Sequence, residues 1–110
     1  MNRLSMSPTA VSLLRALNRR AEVSRDRILL IDVRSTGWRS LKFADERHEL
    51  QLRVTGPHSR EVAERLSSAL AEAEFDIGRA IIADIGIKRA DRASDGSVTL
   101  TIEALTVAAD

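Results

Sequence analysis

The chain has no cysteine, no tyrosine, one tryptophan, two histidines and two prolines among its 110 residues. Without cysteine there is no disulfide, no thiolate metal site and no thiol nucleophile. Aromatic residues at 3% argue against a sheet that stacks nucleobases on surface rings. The five glycines stand singly at 37, 56, 78, 86 and 96, with no GxGxxG and no P-loop, so nucleotide phosphate binding has no support. No stretch approaches the roughly 20 apolar residues that span a bilayer. The longest aliphatic run, Ile28-Leu29-Leu30-Ile31, is closed by Asp32. No signal peptide is evident, and the chain is expected to be soluble as it stands.

What is present is a globular composition, 44% hydrophobic and 30% charged, at a length suited to one domain with one core. Residues 1–7 are expected to be a flexible N-terminus and residues 8–108 a single α+β domain. The net charge is +1, unevenly placed. Residues 1–27 carry Arg3, Arg15, Arg19, Arg20, Arg25 and Arg27 against Glu22 and Asp26, whereas the remainder is net acidic. A basic segment of this kind can meet phosphates. The plainer reading, a solvated helix face, is preferred because no aromatic residues are interleaved for base stacking.

Periodicity orders the elements. Ser7-Pro8 is a helix start, and Val11, Leu13, Leu14, Leu17 and Ala21 recur at helical spacing as far as residue 23 or 24. Residues 28–33 have strand content, and Ser35-Thr36-Gly37 marks a turn or bulge. "WRSLKF" alternates, "ADER" is a turn candidate, and "HELQLRV" alternates strictly with Leu50, Leu52 and Val54 inward. Gly56-Pro57 stops that strand. Ser59 is the expected N-cap of a second helix with Val62, Leu66, Ala69, Leu70 and Ala73 inward and a Glu61–Arg65 pair outward. "AIIADIGIK" and residues 98–102 are strands around an "ADRASDG" loop, and Gly86 suggests a bulge or a close backbone approach. The order αββαββ predicts a two-layer α+β sandwich, the ferredoxin-like arrangement in circularly permuted order, with an antiparallel sheet and both helices on one face.

Chemistry is sparse. His48 and His58 lie ten residues apart across a strand and a turn, which is poor metal-ligand spacing, and the expectation is two surface histidines with no serine partner. Asp32 and Asp84 each interrupt an aliphatic run, a setting in which a carboxylate acts as acid or base if buried. Alternation instead points both toward solvent on the open sheet face. Trp38, the lone indole, is a core-edge anchor or a hot spot for a partner.

The stretch "GWRSLKFADERHELQLRVTGPHSREVAERLSSALAEAEF" resembles the periplasmic ferredoxin-like domain of the type IV pilus assembly protein PilN family, and is similar to the GspL and GspM families of type II secretion. The matching positions are Trp38, Leu41, Phe43, Leu50, Leu52, Gly56, Leu66 and Leu70, with a closing hairpin at 81–87 and 98–102. "SRDRILLIDVRST" departs from that pattern by its extra apolar residues. The resemblance implies a non-enzymatic assembly domain of a bacterial inner-membrane platform at its periplasmic face. It would form a homodimer or a heterodimer with a related domain, through strand edges or helices, with Trp38, Leu41 and Phe43 as candidate interface residues. No cofactor, metal, nucleic acid or small-molecule substrate is implied, and the parent protein would bring the domain near a membrane. The alternative is a small-molecule-sensing regulatory domain of the same fold.

Overall fold

Ser7 starts the first helix as the sequence predicts. In a computed structural model, which describes residues 6–23, 25–39, 44–68, 70–73, 75, 77–78 and 80–108, its Oγ accepts a hydrogen bond from the Ala10 amide at 3.1 Å. Pro8 takes the first turn, where a missing N–H leaves no bond unmade. Helix α1 (Pro8–Ala21) buries Ala10, Leu13, Ala16, Leu17 and Ala21, and Glu22 closes it in a left-handed conformation (φ 57°). Met6, ahead of the cap, packs against the core. Ser7→Ala is expected to lower stability by about 1 kcal/mol. Urea unfolding would check this, and an unchanged midpoint would show that water replaces the cap.

The chain continues through β1 (Ile28–Arg39), β2 (Ala44–Val54), α2 (Ser59–Ser67), β3 (Ala80–Arg92) and β4 (Val98–Ala108). The sheet runs β1-β2-β4-β3 with every neighbouring pair antiparallel. This is the predicted αββαββ two-layer sandwich, and the strand order is that of a ferredoxin-like fold in circularly permuted order. Both helices cover one sheet face. Leu13 and Leu17 of α1 and Val62, Ala63 and Leu66 of α2 share one core with Leu50, Leu52, Val54, Leu100 and Ile102. Each large side chain so buried contributes about 1.5–3 kcal/mol.

Several local expectations are corrected. Ser35-Thr36-Gly37 is neither turn nor bulge: all three lie within β1 and pair with His48, Arg47 and Glu46. "ADER" opens β2 instead of forming a turn, and the last β1–β2 pair is Arg39 with Ala44. The bulge in β1 lies between Leu30 and Asp32, leaving Ile31 extra. Ser59 is the first residue of α2, not its cap; its buried hydroxyl donates to the Gly56 carbonyl at 2.6 Å, and His58 at φ 60° precedes the helix. Helix α2 ends at Ser67, so Leu70 is buried from a separate 3-10 turn, Leu70–Glu72. Arg65 is drawn from Glu61 toward α1, and the i,i+4 pair that forms is Arg60–Glu64 at 3.3 Å. Strand β3 extends through Arg92, which shortens the "ADRASDG" loop to a tight turn closed by Ala93 N–H to Ser97 O at 2.9 Å. Gly86 pairs with Glu103 between two bulges and has open space where a Cβ would stand, so no close approach requires it.

Arginines tie the two helices together. Arg20 of α1 donates from Nε to the Leu66 carbonyl at 3.2 Å and from its guanidinium to the Ser68 carbonyl. Arg65 of α2 donates to the Ala21 carbonyl at 2.7 Å and stands 3.6 Å from Glu22. Each helix therefore satisfies carbonyls that the other's C-terminus leaves without an intrahelical partner. Arg27 does the same for the turn after β2, donating to Thr55 O at 3.0 Å and to Pro57 O. Gly56, at φ 85°, lies beneath it; a Cβ there would stand 2.8 Å from Arg27 Nε. Gly56→Ala combines a left-handed backbone with displacement of that side chain and is expected to cost about 1–2 kcal/mol. A thermal melt would show it, and an unchanged midpoint would mean that Arg27 moves aside without loss.

Candidate functional site

The sheet has a covered face and an open one. On the covered face His48, Leu50, Leu52 and Val54 of β2 alternate with the outward residues Arg47, Glu49, Gln51 and Arg53, and β4 alternates in the same way. The open face is charged at its centre. Lys88 Nζ lies 3.0 Å from Glu49 and 3.7 Å from Glu103, one residue from each central strand. The hydrogen bond that Lys88 donates to Glu49, with the charges of Glu49 and Glu103, holds the Lys88 pKa above its usual range. Asp32, Arg34, Arg89 and Asp91 flank this group in a shallow concavity shared with Gln51 and Thr101.

The rims of the sheet differ from its centre. Strands β1 and β3 are the two edges. The large hydrophobic side chains exposed among the described residues are Leu29 (44%), Ile31 (44%) and Ile81 (60%), and all three sit on these edge strands. Each edge carries a bulge at a corresponding point, at Ile31 between Leu30 and Asp32 and at Ala83 between Ile82 and Asp84. A bulge increases local twist and turns an edge away from chance partners. Strand β3 has a second bulge at Lys88, between Ile87 and Arg89. Adjacent ion pairs mark both edges, Arg34–Asp32 at 3.6 Å on β1 and Arg89–Asp91 at 2.8 Å on β3.

Asp32 and Asp84 occupy equivalent places in the two halves, as the sequence suggested, and both reach solvent. They lie on opposite edges of a four-stranded sheet, roughly 14 Å apart across the strands and offset by about a further 13 Å along them, since Asp32 shares a row with Thr101 and Asp84 with Leu105. The fold does not bring them together as an acid–base pair. Among the described residues no cluster of three or more His, Asp or Glu is placed to hold a metal ion.

His58 is exposed beside Glu61 at 3.7 Å, as expected. His48 is not a surface residue: it is fully buried. Its Nδ1 lies 2.8 Å from Ser35 Oγ on β1, and its Nε2 lies 2.9 Å from Thr106 Oγ1 on β4. Thr106 Oγ1 also reaches the Glu46 carbonyl at 3.4 Å. The consistent arrangement has Thr106 donating to that carbonyl, His48 donating from Nε2 to Thr106, and Ser35 donating to Nδ1, which fixes a neutral imidazole. Burial lowers the His48 pKa, opposed by the nearby Glu46 charge. The Ser35–His48 contact has the distance of a nucleophile–base pair. With no exposed imidazole surface, however, it is a clamp across β1, β2 and β4. The signal was present in "HELQLRV": His48 stands two residues before Leu50, in phase with the covered face.

Trp38 lies in β1 and pairs with Asp45, in a row that continues through Val107 to Ile81. Leu41 and Phe43 fall outside the described residues. The exposed hydrophobics on the edges were present in the sequence as an aliphatic run, but their exposure follows from strand order, which no local pattern states. Of the arginines that make the N-terminal segment basic, Arg20 and Arg27 are engaged with backbone carbonyls. Among the described residues no helix is long and apolar enough to cross a membrane. No family model, no characterised protein and no solved structure matches this chain.

Proposed function

We propose that the chain is a non-enzymatic protein–protein assembly domain that associates through the edges of its sheet. One observation carries this reading: the exposed large hydrophobics of the described residues are confined to the two edge strands. An edge strand offers unpaired N–H and C=O groups, and apolar side chains beside them add surface to be buried on pairing. The core side chains, in contrast, are buried, and at the centre of the open face the Lys88 ammonium is already engaged by Glu49 and Glu103. The resemblance of about residues 8–105 to pilus and secretion platform domains supports a setting at the periplasmic face of a bacterial inner membrane.

Sedimentation equilibrium over a wide concentration range tests the reading. The expected result is a mass that rises with concentration above the 12.1 kDa of one chain. It should fall back when Ile31 and Ile81 are both changed to Lys, with the melting midpoint held within a few degrees, because the substituted positions are exposed. A mass fixed at that of one chain up to about millimolar concentration, the weak limit of an edge contact, would overturn self-association.

A further inference from the structure

We infer, resting on the assembly reading above, that the partner is a second copy of this chain, joined by antiparallel pairing of β1 with β1 about a two-fold axis at Val33. The charge pattern on the two edges selects this arrangement. Asp32 and Arg34 pair with Gln51 and Glu49 and so share the open face of β1, one residue either side of Val33. In an antiparallel pair centred on Val33, Asp32 of each copy stands opposite Arg34 of the other, giving two opposite-charge cross-strand contacts. Shifting the axis by one residue sets Arg34 against Arg34 or Asp32 against Asp32. The same two side chains therefore favour one register and oppose its neighbours.

The other edge decides between a closed pair and an open chain of molecules. On β3 the order is reversed: Arg89 comes first, then Asp91, both on the open face opposite Thr101 and Thr99. Antiparallel docking of β1 on β3 that brings the two ion pairs face to face sets Asp32 against Asp91 and Arg34 against Arg89. That juxtaposition is repulsive, so head-to-tail growth is disfavoured where an isologous, closed contact is not. Between the two possible isologous edges, β3 is the better guarded. It has two bulges, each of which breaks the regular row of edge N–H and C=O groups. Strand β1 has one bulge, and its extra residue is the exposed Ile31, near the exposed Leu29.

Charge-reversal variants test this with full-length chains, each first shown by its thermal melt to be folded. Arg34→Asp leaves two acids on the edge, and Asp32→Arg leaves two bases. Sedimentation equilibrium is expected to show each variant alone dimerising at least about tenfold more weakly than wild type, with an equimolar mixture of the two recovering dimer of near wild-type affinity. Arg89→Asp on β3 is expected to change nothing. Dimerisation unaffected by Arg34→Asp, or lost in Arg89→Asp, overturns the β1 assignment while leaving the assembly reading in place. Two weakened variants that fail to recover on mixing overturn the two-fold register. A wild-type chain that stays monomeric up to about millimolar concentration overturns the two-fold pairing and confines the assembly reading to a different partner domain.

Discussion

Leu50→Ala is expected to lower unfolding free energy by about 3–4 kcal/mol, in the range measured for a large apolar side chain truncated in a core that cannot collapse around the gap. Leu50 has no exposed surface. It sits in the second row of a complete crossing of the sheet, Val33–Leu50–Ile102–Ile87, with the first three members buried and Ile87 packed against the core. Its neighbours in that row are hydrogen-bonded into place, so the cavity left by truncation is not readily filled. With a domain stability of about 5–15 kcal/mol, the melting midpoint should fall by on the order of 15 °C. Ile31→Ala is the matched comparison: the residue is aliphatic too but half exposed on an edge, and its loss should change stability by about 0.5 kcal/mol or less. A Leu50→Ala melt within a few degrees of wild type would mean that the two helices settle onto the sheet freely, and that the core is not a fixed assembly.

A second expected result is a dependence of stability on pH that belongs to one side chain. His48 is neutral in the folded chain and its pKa is lowered by burial from the ordinary 6.5. In the unfolded chain the imidazole takes a proton first, so acid favours unfolding. Stability from this group is complete above about pH 6.5 and is lost as the pH falls toward the folded pKa, with a slope of at most about 1.4 kcal/mol per pH unit for one proton. The groups facing the ring are the hydroxyls of Ser35 and Thr106, and Glu46 contributes the nearby charge that limits the shift. Protonation would turn Nδ1 from acceptor to donor and oblige Ser35 to reverse its hydrogen bond. In His48→Leu the acid-induced loss between pH 6.5 and 5 should disappear from urea midpoints, while Thr106 keeps the Glu46 carbonyl. If wild type and His48→Leu have parallel pH profiles, the imidazole is not the responsible group. Below that range carboxylates contribute as well; Asp95, whose pKa is lowered by its hydrogen bonds from Ser97, adds a loss only near the acid end of the scale.

The sequence was most informative where one periodicity ran without competition. "HELQLRV" gave a strand and its inward face, and Ser7-Pro8 gave a cap, because both are decided by residues within a few positions of one another. It was least informative where strand pairing set the outcome. Residues 35–37 combine turn-forming types, yet pairing with β2 holds them extended. Ser59 has the chemistry of a cap, yet the Gly56-Pro57 turn places it one position inside the helix and directs its hydroxyl back to Gly56. The histidine clamp was legible in phase but not in partners, since Ser35 and Thr106 come from 13 and 58 residues away. The edge pattern was legible only in fragments. Asp32 and Arg34 read as ordinary surface charge until the strand order makes β1 an outer strand.

The exchange of arginines between helix ends bears on how the molecule comes apart. Arg20 completes the end of α2 and Arg65 completes the end of α1, so fraying of either helix removes a hydrogen-bond donor from the other. The two αββ halves, alike as they are, thus have no boundary at which one can open while the other stays protected. Amide exchange in both helices should follow a common opening event. A polypeptide corresponding to either half would lack the donor that finishes its own helix, and repetition of the motif here has produced interdependent halves in place of two separable modules.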